Sequence, residues 1–89
     1  MITKKATVKN RDGIHLRPAK IISEVVNKYE GRVLLKLKHQ KPKELTSLVL
    51  LTLGLTKGSE IKILVDGPKE NETARELKNL FQKEFDFER

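Results

Sequence analysis

Apolar positions fall first at intervals of two, then at helical intervals, and the two periods alternate to the end of the chain. Ile2, Ala6 and Val8 share one parity and predict a first strand, closed by Asn10-Arg11-Asp12-Gly13, which has turn chemistry. From Leu16 the period changes. Ala19, Ile22, Val25, Val26 and Tyr29 form a helical stripe with Arg17, Lys20, Glu24 and Asn27 away from it, and Gly31 is expected to stop the helix. Val33, Leu35 and Leu37 then alternate with Arg32, Lys36 and Lys38, as in a half-buried strand. Lys38-His39-Gln40-Lys41 predicts a hairpin turn. Pro42 restricts the returning strand to a short one at a sheet edge, because proline cannot donate to the ladder.

Thr46 or Ser47 is suited to cap a short apolar helix through Leu53, with Gly54 in the left-handed position after it. Thr56-Lys57-Gly58 turns into Ile61-Lys62-Ile63-Leu64-Val65, whose odd positions make another inward face, broken by Asp66-Gly67-Pro68. Ala74, Leu77, Leu80 and Phe81 mark a last helix, with Glu70 and Glu72 near its positive end. The tail Phe85-Asp86-Phe87-Glu88-Arg89 is expected to fray. The order is β-α-β-β-α-β-α, with two long helices to cover one face of an antiparallel sheet. That is an α+β two-layer fold, read as a single domain over residues 1–89 without repeat or linker.

Composition narrows the chemistry. A chain of 89 residues buries only about 60–65% of its unfolded surface, so it is better suited to binding or carrying than to enclosing a deep pocket. The absence of cysteine excludes disulfides, thiolate metal sites and thiol catalysis. No apolar core follows Met1-Ile2-Thr3-Lys4-Lys5, and the longest apolar run is Leu48-Val49-Leu50-Leu51, against about 20 residues for a membrane helix. The expectation is a soluble cytoplasmic protein without membrane insertion.

Charge is informative through its placement. Residues 1–65 hold 14 Lys/Arg against 5 Asp/Glu, whereas residues 66–89 hold 5 against 7. The basic part contains His15, and its field would attract phosphate groups, nucleic acid or an acidic protein surface.

His15 stands in Gly13-Ile14-His15-Leu16-Arg17-Pro18-Ala19, where the strand-like pattern gives way to the helical one. Gly13 permits unusual dihedrals and close approach of backbone to a ligand. Pro18 suits a helix's first turn, where the N–H it lacks would be unpaired anyway. His15 is thus expected at or beside the N-cap, where backbone N–H groups and the dipole favour an anion. Arg17 adds a forked guanidinium matched to phosphate oxygens. The positive helix end, Arg17 and Lys20 should lower the imidazole's affinity for a proton and leave a lone pair able to attack phosphorus. A histidine that merely caps the helix is the competing reading. No second histidine or carboxylate cluster stands at ligand spacing, so no metal is expected, and His39 is assigned only its hairpin.

"DGIHLRPA" resembles the phosphorylation-site signature of the histidine-containing phosphocarrier (HPr) family of the sugar phosphotransferase system. Gly13, His15, Arg17, Pro18 and Ala19 match its Gly-x-His-x-Arg-Pro-Ala pattern. "TLGLTKGSEI" (residues 52–61) resembles the family's Leu-Gly-x-x-x-Gly segment, and "DGPKENETARELKNL" (residues 66–80) its final turn and helix. The resemblance implies an open-faced sandwich of a four-stranded antiparallel sheet and three helices. It implies His15 as phosphoryl acceptor through the ring nitrogen nearer the backbone, with Arg17 steadying the group and Pro18 helping to set the helix start; Gly13 and Leu16 beside them are further candidate supporting residues. The donor it implies is phospho-enzyme I and the acceptors are enzyme IIA domains. The chain would then be a stoichiometric carrier, monomeric and without cofactor.

Three positions depart from the family. Leu16 replaces the alanine commonly found there, Thr46 stands where Gram-positive members carry a regulatory serine, and Val49 replaces a frequent glycine. Thr46 or Ser47 is a candidate for regulatory phosphorylation by a Ser/Thr kinase, against a plain capping role. Leu16, Leu48 and Leu51 are expected to include exposed members of an apolar docking patch ringed by Arg17 and Lys20, the competing expectation being that all three are core. A nitrogen-related or regulatory relative with the same chemistry is a second functional reading. A small basic RNA-binding domain is a third, but Tyr29, Phe81, Phe85 and Phe87 all fall in helices or the tail, so no base-stacking platform is expected and no nucleic acid as partner.

Overall fold

The computed structural model describes residues 1–10, 13, 14 and 16–83; the expected fraying of the tail lies outside them. Seven elements follow one another: β1 (Ile2–Thr7), α1 (Leu16–Lys28), β2 (Arg32–Leu37), β3 (Lys43–Glu44), α2 (Ser47–Thr52), β4 (Glu60–Asp66) and α3 (Glu70–Phe81). The order is the one the hydrophobic periods predict.

The strands form one antiparallel sheet in the order β1-β4-β2-β3. β4, late in the chain, inserts between β1 and β2 and pairs with both, Ile63 lying opposite Lys4 on one side and Leu35 on the other. β3 is a two-residue edge strand, as Pro42 demands. One sheet face carries Ala6, Val33, Leu35, Ile61, Ile63 and Val65, all buried against Ala19 and Ile22 of α1 and Ala74, Leu77 and Phe81 of α3. Burial of this kind, at about 25 cal/mol per Å² of apolar surface, holds the two layers together. The other face is open.

Local details refine the expectations. The α1 stripe is deepest at Ala19 and Ile22, whereas Val25, Val26 and Tyr29 only pack against the core's margin. Leu37 is half-buried because β2 ends there in the turn where His39 has φ 65°. Gly54 takes φ 62° just past α2, the expected left-handed position.

Gly31 corrects its assignment. It has no left-handed backbone; a Cβ there would lie 2.3 Å from the Asp66 carbonyl oxygen and 2.7 Å from the Tyr29 ring. Glycine is needed at this position for close packing of the β2 start against the β4 end, not for stopping a helix.

Candidate functional site

The segment that enters α1 is pinned to the segment that leaves α2. Gly13 has φ 74°, and its N–H donates to the Asn10 carbonyl at 2.9 Å. The next N–H, of Ile14, donates to the Leu55 carbonyl at 3.0 Å, and Ile14 is buried. Asn10 is buried too, and its side-chain amide donates to the Gly13 carbonyl at 2.8 Å. Sequence reasoning treated Asn10 only as a turn former. Its side chain is the brace of the loop, a role that short amides commonly take within tight turns.

His15 itself, with Arg11 and Asp12, lies outside the described residues, and so do its expected N-cap position and proton affinity. The flanking residues define what surrounds it in the chain. Leu16 and Arg17 are the first two residues of α1, both exposed, and Pro18 is the third and buried. In the first turn of a helix the N–H groups have no acceptor one turn earlier, so Pro18 breaks no hydrogen bond there. No acidic residue occupies this first turn, which leaves the dipole's positive end uncompensated from within α1. Lys20 lies exposed on the same helix. The start of α1 thus combines backbone donors, a guanidinium and an ammonium, a chemistry that favours a phosphoryl dianion.

α2 packs against α1. Leu50 is fully buried, whereas Leu48 is 69% exposed, Leu51 42% and Leu16 67%. The three leucines singled out in the sequence therefore all present apolar surface, on two helices in contact. Thr46 is the N-cap of α2, its hydroxyl accepting the Val49 N–H at 3.1 Å, and Ser47 is the first residue inside. Among the described residues no aromatic side chain lies on a strand: Phe81 is buried at the end of α3 and Tyr29 follows α1.

An open-faced sandwich with an anion-favouring helix start at one end defines a small phosphoryl-carrying domain. The chain belongs to the HPr family of phosphocarriers of the phosphotransferase system: the family model for the PTS HPr component phosphorylation site matches residues 2–83. It is 36% identical over 88 residues to phosphocarrier protein NPr of Klebsiella oxytoca, covering 96% of this chain and 98% of that one. It is 27% identical over 88 residues to phosphocarrier protein HPr of Treponema pallidum, covering 99% and 100%. The crystal structure of HPr from Bacillus anthracis superposes with a TM-score of 0.82 at 21% identity, covering 91% of this chain and 96% of that one, and shows the shared fold.

Proposed function

We propose that the chain carries a phosphoryl group on His15 from phospho-enzyme I to an enzyme IIA domain, in the branch that serves sugar uptake. The observation that supports this most is the setting of the described residues on either side of His15 in the chain: Gly13, braced by Asn10, precedes it and the start of α1 with Arg17 follows it, in a chain of the HPr family.

The chemistry is a relay between imidazoles. A neutral His15 ring attacks phosphorus of the donor phosphohistidine; the new P–N bond forms as the donor's P–N bond breaks, and the donor imidazole leaves with the electron pair. The transferred group keeps its negative charge, which the helix dipole and Arg17 stabilise. The step then runs in the same sense from His15 to the acceptor. Phosphoryl gained equals phosphoryl lost, so the chain turns over only as a carrier. Such partners place it in the cytoplasm.

A nitrogen-related branch is the second reading, favoured by the 36% identity to an NPr. Both readings meet in one experiment. The chain is incubated with labelled phosphoenolpyruvate and the enzyme I of either branch, then with an IIA domain. Label reaching the chain and leaving it for IIA is expected, and the faster donor assigns the branch; no label from either donor would overturn the proposal.

A further inference from the structure

The open face of the sheet carries a row of like charges. Lys5 of β1 lies directly opposite Lys62 of β4, and Lys62 directly opposite Lys36 of β2. Among the described residues none of the three forms an ion pair with a carboxylate. At about 4.8 Å between strands, three ammonium-bearing stems start within roughly 10 Å of one another. Like charges in directly opposed positions destabilise a sheet.

The rest of the face is arranged otherwise. Two residues along, Leu64 faces Leu34, both half-buried. Beyond them Arg32 faces Asp66 and bonds the Glu44 carboxylate through Nε and Nη2. Charge there is mixed and paired; only the lysine row is of one sign.

A groove of about 430 Å³ lies over this row, with Lys38 and His39 of the β2–β3 turn also among its lining residues. That volume falls within the range of small-molecule sites. Glu60, opposite Thr7 on the following row, also lines the groove. Within the strands the like-charged row is one residue deep, bounded on one side by the row of Glu60, where the only further basic lining residues among those described are Lys38 and His39 of the turn, and on the other by the Leu34–Leu64 pair. A nucleic-acid strand or a broad acidic surface would need basic charge extending along the strands as well as across them. A short linear anion lying across the three strands needs only the row.

We infer that this groove binds a small polyphosphate, two or three linked phosphates seated on Lys5, Lys62 and Lys36. The site lies on the face opposite the helices, so it acts independently of the phosphoryl relay. Bound anion relieves the repulsion within the row, so binding and stability rise together. Lys62, central in the row, is the residue on which this depends most.

The test is titration of the whole chain with inorganic tripolyphosphate, followed by amide chemical shifts and by melting temperature. Shifts centred on Lys5, Lys36 and Lys62 and a rise in melting temperature are expected. In Lys62→Gln the free protein should melt no lower than the parent, while binding weakens about tenfold or more, as expected for loss of a charged contact. ATP tests the source: parity with tripolyphosphate assigns the phosphate chain alone, and a gain assigns a nucleotide, either result supporting the site. The inference fails if shifts centre on Arg17 and Lys20, if Lys62→Gln binds as well as the parent, or if a single-stranded RNA oligonucleotide binds more tightly than tripolyphosphate.

Discussion

Gly13 and Leu55 stand so close that a Cβ on Gly13 would lie 2.2 Å from the Leu55 carbonyl oxygen. Space and dihedral both exclude a side chain, since Gly13 also has φ 74°. Gly13→Ala is therefore expected to destabilise the fold by at least about 2 kcal/mol, the sum of left-handed strain and overpacking. Gly54→Ala is the control, because Gly54 has φ 62° with open space around it. Strain alone should then cost about 1 kcal/mol. Denaturant unfolding of the two variants measures the difference, and equal losses would mean that the Leu55 contact is unimportant.

The leucines of α2 divide sharply. Leu48→Asp, at a position 69% exposed, should leave stability within about 0.5 kcal/mol while slowing phosphorylation by enzyme I. Leu50→Ala, at a fully buried position, should cost about 2–5 kcal/mol. Stopped-quench transfer and thermal melts separate the two. Normal transfer in Leu48→Asp would remove α2 from the docking surface.

Tyr29 makes part of the fold's stability depend on alkaline pH. Its hydroxyl is enclosed and has no hydrogen-bond partner among the described residues. Burial first, then the charges of Glu70 and Asp66, raises the phenol above its usual range. The folded state thus holds the proton more tightly than the unfolded state. Stability from this group is complete below the ordinary tyrosine value of about 10 and is lost as pH rises through the folded value. Tyr29→Phe should melt no lower than the parent at neutral pH, since it deletes an unpaired hydroxyl. It should also lose less stability than the parent as pH rises above about 10. Parallel pH profiles for the two proteins would contradict this.

Most of the architecture was legible because its signals are local. Pro42 foretold the short edge strand, and Gly54 the end of α2, from backbone rules that act within a few residues. Gly31 was misread because its constraint is the Asp66 backbone, 35 residues away in the chain. The lysine row was invisible for a similar reason. Lys5, Lys36 and Lys62 become neighbours only when β4 inserts between β1 and β2, and no sequence period encodes that register. At the candidate site the motif was plain, while the brace from Asn10 to the Gly13 carbonyl emerged only with the fold.

Thr46→Asp tests for regulation at α2 without a kinase. The Thr46 hydroxyl caps α2, and aspartate caps a helix about as well, so Thr46→Asp should keep the melting temperature. A carboxylate beside the exposed Leu48 and Leu51 would have to be desolvated on docking and would repel an acidic partner. Slower phosphorylation of Thr46→Asp or Ser47→Asp at unchanged stability marks a competent regulatory site. Parental rates in both would reduce the two hydroxyls to capping.

The measurement closest to the central claim is the labelling of histidine variants by phospho-enzyme I. The parent chain should take up one acid-labile, base-stable phosphoryl group, His39→Ala should take up the same, and His15→Ala should take up none. Labelling that survives in His15→Ala, or that disappears in His39→Ala, would contradict the assignment of His15 as the carrier.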